Sequence, residues 1–344
     1  MRSTRPTSPR HLRRAATAVA SAATLTVALG GCTLAGSEEE TAAGDARTVT
    51  VGFMYDVHAA NVWTMDRCES DTVDVELSPF KQFAELQRGL EQGQLDAAMM
   101  GYQNLGQMLD AGHEDFRAVS GIYRGAEHIT VAADSGIDSW VDLRGKQIGV
   151  PPNSFVEMLL RASLRENGVD VEDVELVPFA GAGPPLQTAL RNGEVDAMVA
   201  WQPNAATAET EGFGVQPPFD IQEGELGDAT ALMYVTETLA TEDQEVVDAL
   251  VECLSERTEA LAGDVDAWVE ALVEQTGVDE DVARAAIETG EMDLTLPQES
   301  AERIIAEFAD NGLLEDTSDR VAEFFDYGPL ERVTGQSASE LGAS

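Results

Sequence analysis

The chain has 344 residues, of which 63 are acidic and 21 are basic, so its formal net charge at pH 7 is −42. Nucleic-acid binding needs clustered lysines and arginines that neutralise phosphates, and the chain contains only two lysines, Lys81 and Lys146. The charge therefore excludes a nucleic-acid-binding protein and argues against direct adhesion to an anionic lipid surface.

The acidity itself has two interpretations. High net charge keeps a chain soluble but destabilises its compact state by self-repulsion, which salt screens. A saline habitat would explain such a composition. A GC-rich genome that depletes lysine is the alternative.

Residues 1–31 have the pattern of a bacterial lipoprotein signal peptide. Five arginines without an acidic residue are followed by Ala15–Leu29, an uncharged stretch of small and apolar residues that is too short to span a bilayer comfortably. Gly30 and Gly31 then precede Cys32, and small residues before such a cysteine are typical of lipid modification. We expect Cys32 to be the lipid-bearing first residue of the mature protein. An ordinary signal peptide is the alternative, and the doublet Arg13-Arg14 leaves the export route open.

Residues 32–46 are predicted to be a flexible tether, because small residues and the acidic run Ser37–Glu40 cannot bury a core. No later segment is long and apolar enough to cross a membrane. The sequence therefore predicts a protein anchored to the outer face of the cell membrane by its lipid alone.

One motif occurs twice, about 100 residues apart. The first copy consists of Val75-Glu76-Leu77, Pro79-Phe80, Leu86-Gln87, Leu95-Asp96-Ala97 and Asn104, and the second of Val174-Glu175-Leu176, Pro178-Phe179, Leu186-Gln187, Val195-Asp196-Ala197 and Asn204. Each copy is typical of a strand, a helix with apolar residues at helical spacing, and a second buried strand. In the first copy these are predicted at 73–77, 83–90 and 95–100. Two such βαβ units predict two similar α/β lobes, in which ligands bind beyond the carboxyl ends of the strands.

The remaining elements place the lobe boundaries. The run Glu127–Ala132 is predicted as a strand crossing from the first lobe to the second, and 231–235 as the returning strand. After residue 243 the pattern is helical, with predicted helices at 246–261, 265–275, 280–289, 298–311 and 318–325. We therefore assign 47–128 and 231–335 to lobe 1, 129–230 to lobe 2 and 336–344 to a tail. The predicted fold class is α/β, with a mixed sheet flanked by helices in each lobe and two hinge strands between them.

Cys68 and Cys253 are the two cysteines besides Cys32. An exported protein permits a disulfide, and this one would join early and late parts of lobe 1. Two separate thiols, with Cys253 on the apolar face of a helix, are the alternative.

The sequence resembles the type II periplasmic binding proteins of ABC importers for sulfonates, taurine, nitrate and thiamine precursors. The resemblance covers nearly all of residues 47–332. It is carried by the segments Asp142-Leu143-Arg144-Gly145-Lys146-Gln147-Ile148-Gly149-Val150-Pro151, Gly193-Glu194-Val195-Asp196-Ala197 and Ala200-Trp201-Gln202-Pro203, with 312–327 near the carboxyl terminus.

This resemblance implies a ligand held between the lobes, at the loops that follow the strands. The candidate ligand-binding residues are Tyr55, Phe80, Lys81, Gln82, Tyr102, Glu127, Asn153, Ser154, Phe155 and Trp201. Helix N-termini near Lys81 and Ser154 would suit an anion, aromatic rings would contact an alkyl chain or ring or hold an ammonium, and Glu127 would pair with an amine.

Several of these residues also have a purely structural interpretation. Lys81 is equally typical of a solvated first helical turn, Trp201 of a core position and Glu127 of a surface strand. Asp96 and Asp196 are expected to cap or brace the repeat rather than touch ligand. Arg124 is expected to pair with nearby acids, and a contact with ligand is the alternative. The sequence Phe80-Lys81-Gln82 departs from the small or hydroxylated residues of the family, which puts the recognised group in doubt.

The sequence favours a binding protein over an enzyme. Its histidines lack metal-site spacing, and it has no nucleophile elbow, P-loop or dinucleotide fingerprint. We expect no catalytic residue, metal or cofactor, and a monomer that delivers a small solute to an ABC permease and its ATPase. The favoured ligand is an anion or zwitterion such as taurine or an alkanesulfonate. The alternatives are a thiamine-pyrimidine or similar heterocycle, and an enzyme acting on a pyrimidine precursor.

Overall fold

The computed structural model describes residues 46–181, 183–227 and 230–344. These belong to one compact unit. The predicted signal peptide, the predicted lipidation residue Cys32 and all but the last residue of the predicted tether lie outside the described residues. No helix in the described part of the chain is both long and apolar enough to cross a membrane.

The described chain forms two mixed β-sheets flanked by helices, which confirms the predicted α/β fold class. The first sheet contains, in spatial order, β11 (Gly290–Glu291), β4 (Phe116–Gly125), β10 (Thr230–Thr236), β3 (Ala97–Gly101), β1 (Arg47–Phe53) and β2 (Val73–Pro79). The second sheet contains β7 (Glu175–Pro178), β6 (Gln147–Val150), β8 (Ala197–Trp201), β5 (Glu127–Ala132) and β9 (Gly214–Val215). Each sheet with the helices beside it is called a lobe below.

Three neighbouring parallel strands form one side of each sheet, and an antiparallel strand pairs with the innermost of them. In the first lobe β1 runs parallel to β2 and β3, and β10 lies antiparallel between β3 and β4. In the second lobe β6 runs parallel to β7 and β8, and β5 is antiparallel to β8. The carboxyl ends of the parallel strands therefore lie at one edge of each sheet, where ligands of open α/β sheets bind.

Helices cover the sheets and account for most of the carboxyl-terminal third. They are α1 (Phe83–Glu91), α2 (Tyr102–Asp110), α3 (Phe155–Glu166), α4 (Pro184–Arg191), α5 (Asn204–Thr210), α6 (Glu237–Glu242), α7 (Gln244–Ala262), α8 (Val265–Thr276), α9 (Glu280–Ile287), α10 (Gln298–Asp310) and α11 (Gly328–Thr334). Short 3-10 helices occur at Val57–Ala59, Met65–Arg67, Trp140–Leu143, Val171–Asp173, Ile221–Glu223 and Ser318–Phe324. The last of these lies where the sequence predicts an α-helix, and α11 was not predicted.

The two copies of the sequence repeat fold as β2–α1–β3 and β7–α4–β8. In the first copy a carboxylate oxygen of Asp96 accepts a 2.9 Å hydrogen bond from the backbone N–H of Thr50, on the neighbouring strand β1. In the second copy Asp196 accepts a 2.9 Å bond from the N–H of Gln147, at the start of β6. The predicted bracing role of both aspartates is confirmed, and the repeated Asp thus ties each βαβ unit to the strand beside it.

The chain crosses from the first lobe to the second at Gly125 and Ala126, between β4 and β5. Both residues have positive φ, 78° and 91°, and Ala126 is fully buried. A positive φ is uncommon for a residue with a Cβ. The carbonyl of Ala126 accepts a 2.9 Å hydrogen bond from the N–H of Gln202, which follows β8. Burial of Ala126 and its hydrogen bond to Gln202 therefore fix the backbone at the crossing.

Two further features tie down the first lobe. Cys68, which precedes β2, and Cys253 in α7 form a disulfide with their Cα atoms 5.8 Å apart. At the carboxyl terminus, the side chain of Leu341 is buried and its carbonyl accepts a 2.7 Å hydrogen bond from Leu296 N–H. The predicted tail therefore packs on the lobe in this structure.

The lobes also meet away from the crossing. Helix α5 of the second lobe packs against α9, and α3 packs against α10. Across the second of these contacts, Nη2 of Arg165 lies 2.5 Å from a carboxylate oxygen of Glu307. The space between the lobes is therefore bounded by packed helices as well as by the sheet edges.

Candidate functional site

A cavity of about 320 Å³ lies between the two sheet edges. The first lobe contributes the segment after β1, the first turns of α1, the β3–α2 junction, Tyr123 of β4, Ala231 of β10 and Ile304 of α10. The second lobe contributes Glu127 at the start of β5, the loop after β6 and Trp201 at the end of β8. Carboxyl ends of strands from both lobes meet here, because each parallel strand runs toward the interlobe edge. We call this space the cleft cavity.

Aromatic rings make up much of the cavity wall. They belong to Tyr55, Phe83, Tyr102, Tyr123, Phe155 and Trp201. Tyr55 stands at the open side with 46% of its surface exposed, and its ring meets that of Phe53 edge to face at 5.0 Å. Such a wall offers large flat surfaces to an organic ligand.

Asp56 supplies the first carboxyl group of the cavity, directly after β1. Its carboxylate caps the short helix Val57–Ala59 by accepting a 3.0 Å hydrogen bond from the N–H of His58. It also accepts a hydrogen bond from the hydroxyl of Tyr123. Burial disfavours the charged form and outweighs these bonds, so it raises the pKa of Asp56 to about 6.

Glu127 supplies the second carboxyl group, at the first position of β5. A carboxylate oxygen accepts a 3.0 Å hydrogen bond from the side-chain amide of Gln222, which also donates to the backbone carbonyl of Glu127 at 2.8 Å. Burial, with a smaller contribution from the negative charge of Asp56, raises the pKa of Glu127 to about 8. The two carboxyls therefore tend to hold protons at pH values where exposed carboxyls are ionised.

Basic side chains are absent from the described lining of the cleft cavity: it contains no lysine, arginine or histidine. Arg124, next to Tyr123, points elsewhere and pairs with Glu291 and Asp293. The expectation that Arg124 pairs with nearby acids is confirmed. The cavity therefore presents two carboxyls, neutral amide and hydroxyl groups and aromatic rings, without a described cation to balance the carboxyls.

The amino terminus of α3 already has an anionic partner from the chain itself. Ser154 caps the helix, and its Oγ accepts from the N–H of Glu157 at 3.3 Å. The carboxylate of Glu157 in turn accepts from the N–H of Asn153 at 2.6 Å and from Arg161 at 2.6 Å. A carboxylate in the first turn satisfies the helix dipole, so this terminus offers less to an anionic ligand than the sequence suggested.

Seven of the ten predicted ligand-binding residues line the cleft cavity. They are Tyr55, Tyr102, Glu127, Asn153, Ser154, Phe155 and Trp201. Each lies at the end or start of a strand or at a helix N-terminus, which is where the fold class places a binding site.

Phe80, Lys81 and Gln82 do not line the cavity. Helix α1 begins only at Phe83, and its residues Phe83, Ala84 and Gln87 face the cavity because positions three and four apart share a helix face. Phe80 instead packs against the core, and Lys81 and Gln82 are exposed. The anion site expected around Lys81 is therefore not present in this cavity.

Several lining residues were not predicted. Asp56 directly follows the predicted Tyr55 and could have been found by extending the same loop. Tyr123 lies in β4, whose residues are buried on both faces, so the strand lacks the alternation that would identify it. Gln87 and Asn104 are repeat residues, and their side chains pair at 3.0 Å, as Gln187 and Asn204 do in the second lobe at 3.0 Å.

Comparison with known families gives a match over residues 69–267 to the family described as NMT1/THI5 like. A protein of Brucella abortus (strain 2308), whose name says only that it is a candidate binding protein, is 34% identical over 77 residues. That alignment covers 22% of this chain and 24% of the relative. The chain thus matches about a quarter of the length of this curated relative.

Solved structures share the fold at low sequence identity. The alkanesulfonate-binding protein SsuA from Xanthomonas axonopodis pv. citri, bound to MOPS, superposes with a TM-score of 0.66 at 18% identity over 83% of this chain and 100% of that one. The desulfurization enzyme DSZB superposes with a TM-score of 0.61 at 18% identity, over 83% of this chain and 99% of that one. The architecture therefore occurs in a binding protein and in an enzyme, and the chemistry of the cavity has to distinguish them.

Proposed function

The chain belongs to the NMT1/THI5-like family, and from that premise we propose that it is the extracytoplasmic solute-binding component of an ABC importer. One observation carries the proposal: a cavity of about 320 Å³ is enclosed by the strand ends of two lobes that the chain links at Gly125 and Ala126. A cavity divided between two lobes can open and close by hinge motion around a ligand. The closed form would then present both lobes to a permease whose ATPase lies on the cytoplasmic side.

The cavity supports a flat organic ligand over a small inorganic anion. A nitrate or sulfonate site is favoured by positively charged donors around the anion. The described lining contains no lysine, arginine or histidine: its side-chain donors are neutral groups such as amides and hydroxyls, and they stand beside six aromatic rings and two carboxyls. Of the two ligand classes expected from the sequence, a thiamine-pyrimidine or similar heterocycle therefore suits the cavity better than taurine or an alkanesulfonate.

An enzyme on this fold is the competing proposal. The reactive groups at the cavity are carboxyls and hydroxyls, with no described cysteine or histidine among the lining residues. A Ser–His or Cys–His pair, the usual source of an activated nucleophile, is thus missing from the described wall. A ligand recovered chemically unchanged after long incubation with the protein supports binding; a new product detected by mass spectrometry favours the enzyme.

A thermal-shift screen followed by calorimetry tests the ligand. Aminopyrimidines and related heterocycles are compared with taurine, alkanesulfonates and nitrate. A ligand present at 100 times its Kd stabilises the folded protein by about 2.7 kcal/mol, which a melting curve resolves. We expect a heterocycle to raise the melting temperature and the anions not to do so. Stabilisation by taurine or an alkanesulfonate would show that the ligand is of the anionic class and not a heterocycle. No response to any compound would count against solute binding.

Trp201→Ala tests whether the cleft cavity is the binding site. We expect it to abolish binding, because the Trp201 ring lines the cavity from the second lobe, while the protein remains folded. Trp140→Ala is the matched control: Trp140 belongs to the second lobe, where its ring packs on Phe219 at 4.6 Å, and it is not among the described lining residues. Equal affinity in wild type and Trp201→Ala would remove Trp201 from the site.

We also propose that lipid on Cys32 attaches the protein to the membrane. The support is the sequence pattern of residues 1–32, which lie outside the described residues. Metabolic labelling with a tagged fatty acid tests it: label on wild type and none on Cys32→Ala is expected, and an unlabelled wild type would contradict the anchor.

A further inference from the structure

We propose that the cleft cavity selects an organic cation whose N–H donors lie between the carboxyls of Asp56 and Glu127. This inference rests on the proposed function and specifies the chemical class of its ligand. It differs from the sulfonate and nitrate classes that the sequence resemblance implies. Amines, amidines and guanidines carried on a ring or an alkyl body belong to this class.

The first support is the position of the two carboxyls. Asp56 follows β1 of the first lobe and Glu127 begins β5 of the second, on the two sides of the crossing at Gly125 and Ala126, and both line the same cavity. Their charges interact, since the charge of Asp56 acts on the ionisation of Glu127. A cation placed between them would interact with both lobes at once.

The second support is the lack of a positive partner. Neither Asp56 nor Glu127 forms an ion pair with any described residue; their partners are the N–H of His58, the hydroxyl of Tyr123 and the amide of Gln222. His58 itself is fully buried, and burial lowers its pKa to about 4, so its ring is neutral near pH 7. Buried carboxylates without a counter-charge are unfavourable, and a ligand cation would supply that charge.

The third support is the aromatic wall. Rings of Tyr55, Phe155 and Trp201 line the same cavity as the carboxyls. A cation over such a face is attracted by the negative face of the ring, most strongly when it is desolvated. An anion would instead face two carboxyls and the electron-rich ring faces, with only neutral donors such as amides and hydroxyls among the described lining side chains to offset them.

A bare metal ion is a poorer candidate for the positive charge. Oxygen-ligated divalent cations take six or more ligands, commonly from several carboxylates, and no group of three or more His, Cys, Asp or Glu in the described chain is placed to hold a metal ion. An organic cation uses the two carboxyls and the aromatic wall together.

Four probes that share one ring test the inference. Benzamidine carries the cation, benzamide is its neutral counterpart, and benzoate and benzenesulfonate carry negative charge. We expect benzamidine to raise the melting temperature at pH 7.5, benzamide to bind at least about tenfold more weakly because a charge pair in a cavity is lost, and both anions to have no effect.

Glu127→Gln and Asp56→Asn test the two carboxyls, and each should weaken benzamidine binding at least about tenfold with little change in benzamide binding. Glu291→Gln is the matched control, because Glu291 is an exposed acid that pairs with Arg124 outside the cavity. Calorimetry in buffers of different ionisation enthalpy gives a readout that a merely structural role would not change. Cation binding near pH 7 should release protons in wild type, and less so in Glu127→Gln.

The outcomes separate this inference from the proposed function. If benzenesulfonate raises the melting temperature and Trp201→Ala removes that effect, the proposed selectivity for cations is wrong, while the proposed solute binding stands. Benzamidine without effect, while a neutral or anionic compound of the transport panel binds, would do the same. If neither the probes nor the panel bind, both proposals fail.

Discussion

Asp56 and Glu127 show how burial in the cavity changes the pKa of single carboxyl groups. An exposed carboxyl ionises near pH 4, but burial raises the pKa to about 6 for Asp56 and about 8 for Glu127. The groups that face Glu127 are Asp56, Tyr123, Asp220 and Gln222, and none of them is positive. Ionising Glu127 therefore costs folding free energy in the ligand-free protein.

The stability of Glu127→Gln should accordingly depend on pH. Between its ordinary value of 4.5 and the folded value of about 8, Glu127 binds more protons in the folded than in the unfolded state. Its contribution to stability is complete below pH 4.5 and is lost as the pH rises through 8. We expect Glu127→Gln to match wild type near pH 5 and to exceed it at pH 9 by at least about 1 kcal/mol, as measured by urea unfolding without ligand.

The comparison isolates Glu127 because His58 titrates alike in both proteins. Burial lowers the pKa of His58, so protonation of His58 reduces the stability of the folded protein as the pH falls. This effect is the same in both proteins and cancels when their free energies of unfolding are subtracted. A Glu127→Gln protein that is less stable than wild type at pH 9 would show that Glu127 is ionised and stabilising in the folded state.

At the scale of elements, the repeat explains which strands and helices the sequence predicted well. The alternation at 73–77, the helical spacing at 83–90 and the apolar run at 95–100 agree with β2, α1 and β3, and the same holds for the second copy. These elements carry their own periodic patterns because one face is buried. Strand β4 is buried on both faces, and the carboxyl-terminal 318–325 pattern folds as a 3-10 helix, so neither could be assigned by periodicity.

The disulfide joins two elements that are distant in the chain. Cys68 and Cys253 are 185 residues apart in sequence, and closing so long a loop restricts the unfolded chain. Replacing both cysteines by serine should destabilise the protein by about 2–5 kcal/mol, as measured by denaturant unfolding. The control is wild type unfolded in reducing agent, which should fall to the same stability. A double variant as stable as the oxidised protein would contradict a stabilising disulfide.

The charge of the whole molecule makes a separate prediction. A formal net charge of −42 produces repulsion that is stronger in the compact than in the unfolded state, and salt shortens its range from about 10 Å at 0.1 M to about 3 Å at 1 M. We expect the melting temperature to rise by several degrees from 0.1 M to 1 M sodium chloride.

Sucrose at matched osmolality is the control for that experiment, since it strengthens burial without screening charge. A melting temperature that is the same at both salt concentrations would favour the genomic explanation of the acidity. Stabilisation by sucrose as large as that by salt would also count against screening.

The sequence by itself determined the periodic features of this protein: the repeat, the two α/β lobes, the bracing of Asp96 and Asp196, and seven residues of the cavity wall. These depend on local patterns and on the rule that ligands lie beyond strand ends. Only the tertiary structure decided the polarity of the cavity. It brings Asp56, Tyr123 and Glu127 from three different strand ends into one buried wall and turns Lys81 and Arg124 away from it, and burial then sets the charge of those carboxyls. A pKa is determined by surroundings that no single segment of the sequence contains.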